Sequence, residues 1–204
     1  MHLQPTLFDH PLPITSELIP GLLYLPEFIT PLQEQDLLAR IDQHPWDTSL
    51  KRRVQHYGYR YDYTTRNVSP DSWLGPLPDW LFSFSQHLHQ QSLFQSPPDQ
   101  IIINEYLPGQ GISAHIDCIP CFSATIASLS LGSACVMEFF NPSIKKRIPV
   151  LLEPRSLLIV SGDARYQWLH SIPARKTDLY EGISFTRNRR ISLTFRNMII
   201  HHKG

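Results

Sequence analysis

The sequence predicts a mostly β domain of the α+β class: helices in the first half, then an antiparallel β core, a jelly roll or another β-sandwich. Three observations predict it. Apolar residues at helical spacing occur only before about residue 91. Short β-branched and aromatic runs, punctuated by Gly, Pro, Asn and Asp, fill residues 101–200. No strand–helix alternation occurs there, as a parallel sheet would require. The chain has 204 residues, which fits one domain with a full core.

Each element follows from local chemistry. Residues 1–20 are proline-rich and aperiodic, and are expected to form an arm laid over a single domain at 21–204. LLYLPEFI (22–29) reads as a short strand. Thr30 offers an N-cap, Pro31 the first helical position, and Gln33 completes a capping box. Leu37, Leu38 and Ile41 give that helix one apolar side. A second helix is expected over about 77–91, with Trp80, Leu81, Phe84 and Leu88 at helical spacing. IIINEY (101–106), ASLSLGSACVMEFF (127–140), RIPVLLEP (147–154), RSLLIVSG (155–162), YQWLHSI (166–172) and RISLTFRNMII (190–200) all read as strands.

Composition narrows the function. Lys+Arg and Asp+Glu both count 18, so any basic surface must be local. Three cysteines are too few for a disulfide framework and favour a reducing compartment. The first residues lack the pattern of a signal peptide, and no apolar run reaches about 18 residues. A soluble, cytoplasmic monomer without a membrane span is expected.

Residues 113–121, SAHIDCIPC, carry the first chemical signal. On a strand His115 and Asp117 share a face, and His170 on a later strand supplies a third donor. Two imidazoles and one carboxylate suit Fe(II) and leave three positions open, though zinc accepts the same ligands. The competing reading makes His115 a turn cap and His170 a satisfied core histidine. In RISLTFR, Arg190, Ser192, Thr194 and Arg196 share one face, a cradle for a dicarboxylate, or else a solvated surface. Asn104 and Tyr106 share a face just upstream of the His-x-Asp pair.

The ordered set Asn104-x-Tyr106, His115-x-Asp117, His170 and Arg190-x5-Arg196 resembles the AlkB family of Fe(II)/2-oxoglutarate dioxygenases, over roughly residues 18–200. The resemblance implies a double-stranded β-helix core with helices packed on one face. It implies Fe(II) on His115, Asp117 and His170, with 2-oxoglutarate and O2 as cosubstrates. Arg190, helped by Tyr106, would hold the distal carboxylate. Asn104, Ser192 and Arg196 would complete the cosubstrate contacts. The words RRVQHYGYRYDY, PDQIIINEYLPGQGISAHID, SLSLGSACVMEFF and RSLLIVSGDARYQWLH look similar to the tRNA-modifying branch of the eighth human homologue. Repair members tend to carry an acidic residue two positions after the metal aspartate; here that position is Ile119.

The family likeness makes residues around 51–66 a nucleotide-recognition lid. Lys51, Arg52 and Arg53 form a dense basic run, and Tyr57, Tyr59, Tyr61 and Tyr63 alternate as if on one strand face. Arg52, Arg53, Tyr57, Tyr59 and Arg60 are the candidate substrate contacts, with cations for phosphates and rings for unpaired bases. The same rings could equally pack the core. Cys118 and Cys121 are expected to be structural or incidental. The function implied is hydroxylation of alkyl groups on bases of single-stranded DNA or RNA, as oxidative dealkylation. The alternatives are hydroxylation of a modified wobble uridine in tRNA, and a vestigial oxygenase acting as a binding module.

Overall fold

A computed structural model describes residues 14–15, 18–65, 67–68 and 70–199. Its strands are β1 (Ile14–Thr15), β2 (Leu22–Leu25), β3 (Val54–Tyr57), β4 (Gln100–Tyr106), β5 (Ile112–His115), β6 (Ile126–Gly132) and β7 (Cys135–Asn141). They continue with β8 (Lys146–Leu152), β9 (Leu157–Val160), β10 (Leu169–Ile172), β11 (Thr177–Tyr180), β12 (Ile183–Thr186) and β13 (Arg190–Arg196). Helices are α1 (Pro31–Gln43), α2 (Asp79–Gln90) and the short α3 (Gly162–Tyr166).

Every strand pairing is antiparallel. A seven-stranded sheet runs β1-β2-β9-β6-β13-β4-β3, and a four-stranded sheet runs β5-β10-β7-β8. Alternation along each strand divides the core in two. Ile101, Ile103, Leu129, Leu131, Leu157, Ile191, Leu193 and Phe195 face α1 and α2, against Phe28, Leu37, Ile41, Leu81 and Leu88. Tyr106, Ile126, Leu158 and Val160 face the smaller sheet, against Cys135, Met137, Phe139 and Ile172. The helices thus cover one face, and the second face is left to the site. α1 begins with the expected capping box: Gln33 N donates to Thr30 Oγ1 at 3.2 Å, and Thr30 N to Gln33 Oε1 at 2.8 Å. Such a box is worth about 1 kcal/mol.

The structure departs from the expectations at three places. The expected strand over 127–140 breaks at Gly132 (φ +80°), where a Cβ would stand 2.6 Å from the Arg189 carbonyl; its halves join different sheets. YQWLHSI starts as the end of α3 and becomes a strand only at Leu169. A hairpin, β11–β12, occupies 177–186, where no strand is expected. At the N-terminus, residues 1–13 of the expected arm lie outside the described residues. Ile14 and Thr15 pair with β2, and Ile19 is fully buried.

Candidate active site

His115 and His170 are brought together by backbone pairing. They are direct Cα partners across β5 and β10, with ring centroids 4.4 Å apart. Asp117 arrives differently. β5 ends at His115, so Asp117 stands in irregular backbone and strand alternation does not aim it. Two arginines do. Arg196 Nη2 donates to Asp117 Oδ1 at 2.9 Å. Arg165, 2% exposed on α3, donates Nη1 to the Asp117 carbonyl at 2.9 Å and Nη2 to the Cys118 carbonyl at 3.2 Å. One ligand atom from each of His115, Asp117 and His170 lies within 4.8 Å of the others.

Protonation suits a cation. Burial pushes the His170 imidazole down to about 4, against the upward pull of Asp117, so it is neutral near pH 7. Burial would raise the Asp117 carboxyl, but Arg196 and the neighbouring His170, His115 and Arg165 outweigh it and hold it below the usual carboxylate range. The ring Nδ1 of His115 lies 2.7 Å from the Ser113 carbonyl. A carbonyl can only accept, so that nitrogen carries a proton, and Nε2 is the ring nitrogen left for a metal. Two imidazoles and one ionised carboxylate fit Fe(II).

The expected polar face of β13 is present and looks toward this cluster. Arg190, Ser192, Thr194 and Arg196 pair with Tyr106, Asn104, Ile102 and Gln100 of β4. Arg190 is 2% exposed, stacks over Tyr106 at 5.5 Å, and donates Nη2 to Ser130 Oγ at 2.8 Å. Its Nε and Nη1 have no acceptor among the described residues. A buried guanidinium with two idle donors fits a ligand carboxylate, which can accept both. A narrow cleft beside it is lined by Tyr106, Ala134, Cys135 and Ile172. Ser192 is held by Ser128, Oγ to Oγ at 2.9 Å, and Asn104 accepts from Arg52 Nε at 3.0 Å.

The lid residues divide. Gly58 (φ +76°) passes so close to Asp99 that a Cβ would meet its carbonyl at 1.9 Å, and β3 stops at Tyr57. The four tyrosines therefore do not share one strand face. Tyr57 turns to the helical side, between His44 and Trp80, and burial pushes its hydroxyl up to about 12. Arg53 is also on that side, paired with Glu105 and stacked on Trp46. Tyr59 bridges to Trp73, and exposed Arg60 reaches Asp47 at 3.4 Å. Arg52 alone of the five turns inward, over Tyr63 at 5.6 Å. Tyr63 touches Tyr61, Tyr61 touches Phe122, and Phe122 lies under Arg196 at 4.8 Å. These contacts link the Asp117 turn to residues 61–63. Beside them, His56, Arg60, Tyr61, Tyr63 and Thr65 line a cleft of about 630 Å³.

Sequence reasoning missed Arg165, Ser130 and Phe122. Ser130 was legible in the alternation of SLSLGS; Arg165 and Phe122 carry no local signal, since only the tertiary fold brings them to Asp117 and Arg196. Cys118 and Cys121, expected to be structural or incidental, are joined in a disulfide.

Fold and donor set define a double-stranded β-helix protein with a 2-His-1-carboxylate cluster between its sheets. Comparison with known proteins sharpens this. A model of the 2OG-Fe(II) oxygenase superfamily matches residues 21–196, and the chain belongs to that superfamily. It is 39% identical over 212 residues to the "Alkylated DNA repair protein ALKBH8 homolog" of Arabidopsis thaliana, covering 92% of this chain and 61% of that protein. It is 43% identical over 176 residues to the "tRNA (carboxymethyluridine(34)-5-O)-methyltransferase alkbh8" of Xenopus tropicalis, covering 82% of this chain and 27% of that protein. The chain thus spans less than two thirds of either relative. The solved structure of OsALKBH1 shares the fold, with a TM-score of 0.65 at 20% identity, over 89% of this chain and 99% of that one. The AlkB likeness read from the sequence is borne out, and with it the family's cofactor, Fe(II), and its cosubstrates, 2-oxoglutarate and O2. No helix among the described residues is long and apolar enough to cross a membrane.

Proposed function

We propose that this protein is a 2-oxoglutarate-dependent dioxygenase that hydroxylates alkyl groups on nucleic-acid bases, removing N-linked ones by oxidative dealkylation. One observation carries the reading: buried Arg190, with two idle donors, shares a sheet face with the arginine that holds the metal-binding carboxylate. Bound iron supplies oxidation of a C–H bond coupled to decarboxylation of 2-oxoglutarate. The chain's residues do the rest. His115, Asp117 and His170 would hold the ion, and Arg190 with Tyr106 would fix the far carboxylate. Arg196 keeps Asp117 ionised and oriented. Tyr61, Tyr63 and Arg52 wall the approach, where an unpaired base can stack and a phosphate can meet a cation. Arg60 lines the cleft beside them. The names of the relatives, one for alkylated DNA repair and one for a uridine of tRNA, support a nucleic-acid base as substrate.

A second reading, hydroxylation of a carbon-linked substituent on a tRNA wobble uridine, is favoured by Ile119. It is 50% exposed beside Asp117, where it offers an exocyclic amine no acceptor. Both readings take the protein as a cytoplasmic monomer. The test is mass spectrometry of methylated DNA, methylated RNA and bulk tRNA after incubation with Fe(II) and 2-oxoglutarate. Loss of methyl groups supports dealkylation, and gain of one oxygen on a tRNA uridine supports the second reading. Succinate formation that no nucleic acid stimulates would refute both.

A further inference from the structure

We propose that Cys118 and Cys121 are a reversible dithiol–disulfide couple that governs how firmly the metal ligand Asp117 is held. The proposal rests on the metal-site reading above and adds a redox-modified site to it.

The two sulfurs are bonded in this structure, with Cα atoms 5.3 Å apart across a tight turn. Cys118 directly follows Asp117, which lies outside any strand. What fixes the turn is therefore what fixes the ligand. The Cys118 carbonyl accepts from Cys121 N at 3.3 Å, Phe122 N at 3.2 Å and Arg165 Nη2 at 3.2 Å. The far end of the turn is anchored elsewhere. The Cys121 carbonyl accepts from Ile199 N at 2.9 Å, and Cys121 Sγ lies 3.6 Å from Asn67 Oδ1 of the lid. The bridge ties the residue next to the metal ligand to this anchored end.

Exposure is asymmetric in the way exchange requires. Cys118 is half-buried, with exposed Ile119 and Pro120 beyond it, whereas Cys121 is 2% exposed. The outer sulfur can be attacked, and the inner one can resolve the intermediate. The third cysteine, Cys135, is a buried free thiol on β7. A lone Cys-x-x-Cys bridge beside a functional group is the kind of disulfide that exchanges with small thiols.

The chemistry closes with a low-molecular-weight disulfide as oxidant. The Cys118 thiolate attacks one of its sulfurs and expels the first small thiolate. The Cys121 thiolate then attacks Cys118 Sγ and expels the second. The protein loses two protons and two electrons, and the small disulfide becomes two thiols. Reduction reverses both steps. In the dithiol form Asp117 keeps its Arg196 and Arg165 contacts but loses the covalent limit on its turn, and the metal binds more weakly.

The test equilibrates the full chain in glutathione-disulfide and in reduced-glutathione buffers, then removes the glutathione. Thiol alkylation with peptide mass mapping reads the bridge. Titration with Mn(II), an ion with little taste for thiols, reads the site. We expect a Cys118–Cys121 bridge with Cys135 free in the oxidised sample, and a Mn(II) dissociation constant about three- to tenfold larger after reduction. A Cys118→Ser/Cys121→Ser double variant should show the weaker constant in both buffers. The wild-type comparison needs no variant to fold. Alkylation of both thiols in the oxidised sample, or equal Mn(II) affinity in the two states, overturns the proposal. So does a double variant that still responds to the buffer. If His115→Ala binds Mn(II) like wild type, the metal reading falls and takes this proposal with it. A His115-dependent site indifferent to redox state leaves that reading standing.

Discussion

Replacing Arg190 with methionine should separate ligand binding from folding. The residue is 2% exposed, bonds Ser130, and keeps Nε and Nη1 without acceptors. Two charge-assisted hydrogen bonds to a carboxylate are worth about 1.5–3 kcal/mol each, so their loss predicts binding weaker by roughly 10²–10⁴-fold. The unliganded protein should respond in the opposite sense. Methionine removes a buried, half-satisfied charge and keeps much of the volume, a change that is neutral or stabilising by about 1 kcal/mol or more. The assay is thermal unfolding with Mn(II), with and without 2-oxoglutarate. At ligand about a hundredfold above its dissociation constant, wild type should gain about 2.7 kcal/mol. Arg190→Met should start no lower than wild type and gain at most about 0.4 kcal/mol. Arg190→Lys should fall between, because an ammonium cannot reproduce the fork. A methionine variant that unfolds far earlier yet keeps its response to 2-oxoglutarate would refute the reasoning, since Arg190 would then be a structural residue.

The remaining predictions follow from the same geometry. His115→Ala and Asp117→Ala should each weaken Mn(II) binding by more than the roughly 10–100-fold that loss of a supporting residue costs, and calorimetry checks it. Arg52→Ala should weaken single-stranded oligonucleotide binding and lower its salt slope by about one, whereas Arg53→Ala, locked on Glu105, should leave the slope unchanged. Identical slopes for Arg52→Ala and wild type would move the nucleic-acid surface elsewhere. The hydrogen bonds of Arg53 and then Arg189 hold the Glu105 carboxyl below its usual range, although burial opposes them. A depressed carboxylate contributes stability above its unfolded value, and that contribution fades as pH falls through the lower folded value. Glu105→Gln should therefore cost about 1–3 kcal/mol at pH 7 and progressively less below about pH 4, read by urea unfolding across pH.

How much was legible depended on whether a residue's placement is set by strand alternation. Where it is, the sequence sufficed. Arg190, Ser192 and Arg196 share a face because β13 is a regular seven-residue strand paired on both sides, and Asn104 with Tyr106 follow from β4. The capping box of α1 is equally local. Placement failed where backbone breaks interrupt the period. The tyrosine alternation reads as one strand face, but Gly58 ends the strand against Asp99, so Tyr57 goes to the helices and Tyr61 and Tyr63 to the site. His115-x-Asp117 reads as two residues on one strand face. They do reach one cluster, but Asp117 comes by way of two arginines 48 and 79 positions further along the chain. Such partners belong to no local pattern.

The two sheets divide the chemistry, and the length of β13 sets its scale. The smaller sheet supplies both histidines, and the larger supplies the guanidiniums. Arg190 and Arg196 are six residues apart on one face, about 20 Å between Cα atoms. Arg190 leans into that gap. Arg190 bonds Ser130, whose strand partner is Ser192, so its guanidinium has moved one pair toward Arg196. Arg196 turns to Gln100 and to Asp117, which puts its charge beside the His115–Asp117–His170 cluster. What remains between Ser192 and Arg196 is roughly 13 Å of floor. It is paved with Ser192, Thr194 and Ser128, whose small side chains leave height above the sheet. A five-carbon dicarboxylate measures about 5–7 Å end to end from ordinary bond lengths, short enough to lie along this floor with one end on Arg190. The regular spacing of one strand thus works as a ruler, and buried charges mark both of its ends.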